Sequence, residues 1–82
     1  MDTKETIGQA MRQCRERTGM TQAEAAYNAG MYSQIVSKYE SGKAAPGIRA
    51  AIALADLYGV TLDELVGRSP ERWNYEGSFA RR

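Results

Sequence analysis

The pattern Gly-x-Thr-x-x-Glu stands twice in this 82-residue chain, as Gly19-Met20-Thr21-Gln22-Ala23-Glu24 and as Gly59-Val60-Thr61-Leu62-Asp63-Glu64. Each copy ends one helix and starts the next. A glycine lacks Cβ and enters the left-handed region that closes a helix without steric cost. The threonine hydroxyl at the following N-cap accepts from the amide three residues on, and the glutamate there reaches back to the amide of the cap. Between them, Met20 can meet Ala25 and Val60 can meet Leu65 as hydrophobic staples. The flanks of the two copies match at no fixed period, so they are punctuation and not a tandem repeat.

Helical periodicity fills the intervals. Ile7, Ala10, Met11 and Cys14 recur at i, i+3, i+4 and i+7 with polar residues between them, which predicts an amphipathic helix ending near Thr18. A second helix is expected over about residues 22–29, with Ala25, Ala26 and Ala29 inward and Gly30 breaking it. A third is expected over about 33–41, with Val36 and Tyr39 inward and Gly42 closing it. After Pro46 and Gly47, the residues Ile48, Ala51, Ile52, Ala55 and Tyr58 form the stripe of a fourth helix, expected at the centre of the fold. A short fifth spans about 62–66. No segment alternates apolar and polar residues as a strand does. The expected fold class is therefore all-α, a compact five-helix domain over residues 1–67 followed by a short C-terminal tail, 68–82.

Composition narrows the chemistry. At 43% hydrophobic and 26% charged residues the chain is an ordinary globule, and its length allows one domain. It has no histidine and a single cysteine, which removes the commonest general base, the histidine-containing metal sites and any internal disulfide. The expectation is a protein that is not an enzyme and uses no cofactor and no metal. Cys14 falls in the apolar stripe of the first helix and reads as core, not as a redox sensor. Asp63 and Glu64 are adjacent and point apart on a helix, and capping already accounts for Glu64. The most apolar run, Ile48 to Tyr58, is interrupted by Arg49 and Asp56, so no membrane association is expected. A lone thiol and the absence of a signal-like apolar run in the first residues suggest a cytoplasmic setting. Net charge is only +1, so binding to nucleic acid has to be argued from where the charges sit.

The candidate DNA face is the third helix, where only Lys38 and, just beyond its end, Lys43 bring positive charge, against Glu40. Residues 21–40 read as helix, tight turn at Gly30, helix, an arrangement able to lay its second helix in the major groove of DNA. Ser33, Gln34, Ser37 and Lys38 are spaced i, i+1, i+4 and i+5 and share one face, opposite Val36 and Tyr39. Their hydroxyl, amide and ammonium groups can address base edges, which differ for each base pair in that groove. Taken alone, the four fit a merely solvated face equally well.

Over residues 7–67 the chain resembles the helix-turn-helix family of lambdoid phage repressors and Cro proteins, also called the XRE family. The matching pieces are Arg15-x-x-x-Gly19, Thr21-Gln22-x-Glu24-x-Ala26, Gly30, Val36-Ser37-Lys38-Tyr39-Glu40-x-Gly42-Lys43, Pro46, and Leu54-Ala55-x-x-Tyr58-Gly59-Val60-Thr61-Leu62-Asp63-Glu64-Leu65. The resemblance implies that Ser33, Gln34 and Lys38 read bases, with Ser37 secondary. It also implies that Gln22, Ser41 and Lys43 contact phosphates, and that Arg15 and Glu40 form a structural ion pair. Tyr32 departs from the serine or threonine that many relatives carry before this helix; it cannot cap through its side chain, and its hydroxyl is placed to reach a phosphate. Ser33 is then the alternative cap, which would withdraw its hydroxyl from base readout.

The implied partner is double-stranded DNA, read by a homodimer on a palindromic operator to repress transcription. Prophage repressor, Cro-like protein, antitoxin and restriction-modification controller all stay open. The rival reading is a protein-interaction module on the same scaffold. In the tail, Trp73, Tyr75 and Phe79 are candidates for packing on this domain, on a second subunit or on a protein partner.

Overall fold

Every helix boundary anticipated from the capping residues is realised. The computed structural model describes residues 4–68 and contains α1 (Lys4–Thr18), α2 (Gln22–Ala29), α3 (Ser33–Ser41), α4 (Ile48–Tyr58) and α5 (Leu62–Val66). No strand occurs among the described residues. Trp73, Tyr75 and Phe79, and with them the expected packing of the tail, lie outside the described residues.

Both capping boxes are closed. The Thr21 hydroxyl accepts from the Glu24 amide at 3.1 Å while Glu24 accepts from the Thr21 amide at 2.8 Å. At Thr61 and Glu64 the same two bonds measure 3.0 and 2.9 Å. Met20 and Val60, the staple residues, pack against the core. Gly30 closes α2 at φ 74°, and the next amide, that of Met31, donates to the Ala26 carbonyl at 2.9 Å. Three residues, 30–32, thus separate α2 from α3.

All five helices contribute to the core. Met11 and Cys14 come from α1, Ala25 and Ala26 from α2, Val36 from α3, Ala51, Leu54, Ala55 and Tyr58 from α4, and Leu65 from α5. Cys14 is buried as packing, and its thiol faces the Glu64 carbonyl at 3.6 Å.

The expectation that α4 is the central helix is corrected. The hub is α1, which packs on α3, α5 and α4, whereas α4 rests mainly on α2 and α5. The inward stripe of α4 is also turned from the one drawn in the sequence. Ala51, Leu54, Ala55 and Tyr58 are buried, while Ile48 and Ile52 are 66% and 44% exposed. Ala25, Ala51 and Ala55 share the core cluster, so α2 and α4 meet through small side chains, and Leu54 takes the inward volume that Ile52 was expected to fill.

The seat of α3 on α1 is closer still. Gly8 lies inside α1, and a Cβ there would stand 2.5 Å from the Tyr39 carbonyl oxygen and 2.6 Å from that of Glu40. Alanine gains roughly 1 kcal/mol over glycine in an exposed helix interior. Overlap with carbonyls that cannot rotate away costs about 1–3 kcal/mol and wins. Gly8→Ala is therefore expected to lower the melting temperature measured by circular dichroism. A rise would mean that the close approach is not required.

Candidate nucleic-acid interface

One carboxylate fixes the position of α3. Glu40, in its last turn, receives Arg15 Nε at 2.7 Å on Oε2 and Arg15 Nη2 at 2.9 Å on Oε1, a bidentate pair between α3 and α1. The remaining guanidinium nitrogen, Nη1, donates to the Met20 carbonyl at 2.9 Å, and Gln22 Nε2 donates to Glu40 Oε1 at 3.0 Å. The Arg15 and Glu40 side chains are 11% and 4% exposed, so the network is buried, and it ties the end of α1, the start of α2 and the end of α3 together.

The hydrogen bonds that Arg15 donates to the Glu40 carboxylate raise the arginine's pKa, against the opposing effect of burial. Burial also pushes the Tyr58 phenol up to about 12, and the nearby Glu40 carboxylate adds to the push. Two outcomes follow from this geometry. Glu40→Ala would strand the arginine, and an uncompensated buried charge costs about 3–5 kcal/mol; urea unfolding reads the loss, and an unchanged midpoint would contradict it. Tyr58 keeps its proton in the folded state while the unfolded chain loses it near pH 10, so its contribution to stability is intact below pH 10 and declines toward pH 12. The melting temperature should therefore fall more steeply across that interval in the wild type than in Tyr58→Phe; equal slopes would contradict the assignment.

With its inner face held, α3 turns its polar residues outward. Gln34, Ser37 and Lys38 are exposed, Ser33 is half-buried at the first helical position, and none of the four side chains forms a hydrogen bond or ion pair among the described residues. Tyr32 is the N-cap by conformation, 78% exposed, and makes no capping bond through its side chain. Ser33 therefore does not act as the cap.

The other candidates are engaged to different degrees. The Ser41 hydroxyl donates to the Lys38 carbonyl at 3.2 Å, a bond it must give up to donate to a phosphate. Lys43 is exposed, while its backbone amide closes α3 on the Lys38 carbonyl at 2.9 Å. Gln22 is turned toward Glu40, an engagement the sequence reading did not include. The signal for it was Glu40 itself, since a buried carboxylate offers about four acceptor sites and a bidentate arginine fills only two.

Two helices joined by a three-residue turn at a left-handed glycine, the second with an unengaged polar outer face, define a helix-turn-helix domain of the class that binds DNA. The chain belongs to the helix-turn-helix domain family, whose model matches residues 6–68. Among solved structures it is similar to the restriction-modification controller protein C.AhdI from Aeromonas hydrophila, with a TM-score of 0.73 at 24% identity over 76% of this chain and 90% of that one. It is also similar to a transcriptional regulator from Listeria innocua, with a TM-score of 0.68 at 28% identity over 83% of this chain and 64% of the regulator. No curated protein sequence matches the chain. Among the described residues no helix is long and apolar enough to cross a membrane.

Proposed function

We propose that this protein is a transcriptional repressor of the lambdoid repressor and Cro kind, acting in the cytoplasm as a homodimer that occludes a promoter. One observation carries the reading: α3 is held rigidly on its inner side and presents Gln34, Ser37 and Lys38 unengaged on its outer side. Residues 1–67 form the DNA-binding domain and 68–82 a tail that adds packing or a protein contact. The role is binding and not catalysis. The likeness to a controller protein and a transcriptional regulator supports the same direction.

Gln34 is the principal reader, because its amide pairs bidentately with adenine N6 and N7, while Lys38 reaches guanine O6 and N7. Ser33 and Ser37 address neighbouring bases. Tyr32 and Lys43 reach the backbone on either side, Ser41 joins Lys43 once its hydroxyl turns, and Gln22 retains one amide hydrogen for a phosphate at the start of α2. With two lysines on this face and a net charge of +1, one copy makes few phosphate contacts. Two copies on half-sites about 10 base pairs apart double the phosphate contacts and the counterions released.

Selection from random duplex DNA tests the reading. The wild type should enrich a palindrome, with log affinity falling as log salt rises. The Gln34→Ala, Lys38→Ala double variant should lose about 1–3 kcal/mol of discrimination at each base it reads. Absence of enrichment at low salt would favour the protein-interaction module, the reading to which the small net charge lends support.

A further inference from the structure

The corrected orientation of α4 leaves a strip that the DNA reading does not use. Ile48, Arg49, Ile52 and Asp56 are all exposed. At 100° per residue they fall within one sector of about 100° on the helix, beside the buried face of Ala51, Leu54, Ala55 and Tyr58. Neither Arg49 nor Asp56 has a side-chain partner among the described residues. From Arg49 onward the order along the strip is cation, isoleucine, anion, with Ile48 at its start. Reversed and laid against itself, that order is complementary: a two-fold axis between residues 52 and 53 brings Arg49 opposite Asp56 of a second copy, and Asp56 opposite its Arg49. Ile52 then meets the small side chain of the second copy's Ala53. A two-fold interface must be self-complementary in this way, with each contact occurring twice.

We propose that this strip of α4 is the dimer interface, occupied by α4 of a second copy in antiparallel orientation. The proposal deepens the homodimer reading above and rests on it. The strip lies on a different helix from the outer face of α3, and α3 itself packs on α1 and α2. Pairing through α4 therefore leaves the reading residues uncovered. Burial of Ile48 and Ile52 supplies the attraction, and the two charge pairs fix the antiparallel register.

Charge reversal on the full chain tests it. Arg49→Asp sets a carboxylate against Asp56 of the second copy at two symmetric places, and Asp56→Arg does the same with two cations. Each single variant should weaken dimerisation about tenfold by sedimentation equilibrium, since two exposed pairs change from attraction to repulsion. The double variant Arg49→Asp, Asp56→Arg restores complementarity and should return close to the wild-type dissociation constant. Ile52→Lys should weaken the dimer further, while circular dichroism melts show all the variants folded. Singles that leave dimerisation unchanged, or a double variant that fails to recover, would overturn the proposal. So would a chain lacking residues 69–82 that loses the dimer while the single variants keep it, because the tail would then be the occupant or the interface. A wild type that stays monomeric at every concentration would overturn both this proposal and the homodimer reading. Rescue by the double variant without enrichment of any DNA sequence would uphold the α4 interface and remove the operator reading alone.

Discussion

The position of α3 depends on a single buried carboxylate. Glu40 receives two bonds from Arg15 and one from Gln22, and so joins α3 to α1 and to the start of α2 within one hydrogen-bonded group. Ion pairs at such depth lose hydration that their attraction only partly returns, so the pair is a poor source of net stability compared with an apolar replacement. What it supplies is direction. A guanidinium fork accepts a carboxylate in one plane, and the Met20 carbonyl on its third nitrogen leaves that plane little freedom to rotate. An aliphatic contact in the same place would hold α3 close but would tolerate sliding. The polar outer face of α3 is thereby held in one orientation.

The turn and the close backbone contact serve the same end at other points. Gly30 reverses the chain within three residues because the left-handed conformation is open to it, and this brings α3 back across α1. Gly8 then lets the two backbones approach where any Cβ would hold them apart. The start of α3 is set by the turn, its end by Glu40, and its inner face by Val36 in the core.

Most of this was legible in the chain because the decisive residues act locally. Capping boxes, helix-closing glycines and the i, i+3, i+4 stripe of α1 depend on neighbours within one or two turns, and all are realised as expected. The exact rotation of α4 was not. Ile48 and Ile52 are the most apolar residues near its start, yet the core took Ala51, Leu54 and Ala55, because a helix that is apolar nearly all round has several possible inward faces and its partners decide among them. The placement of α4 as the hub failed for the same reason. Within the candidate site, the outer face of α3 and the Arg15–Glu40 pair could be read from spacing and resemblance. The turning of Gln22 inward could not, since it depends on two residues eighteen positions apart and on the unmet acceptors of a buried group.

The closeness of Gly8 to α3 reaches beyond packing. The residues that hold α3 in place, at Val36 and at the carbonyls and carboxylate of Tyr39 and Glu40, all lie on its inner side or in its backbone. None of them is Ser33, Gln34, Ser37 or Lys38. The side chains that seat α3 and those on its outer face are therefore different residues, interleaved along one nine-residue helix. Descendants of such a chain can exchange the four outer side chains without disturbing the contacts that seat α3. A scaffold divided in this way can carry many different outer faces on the same body.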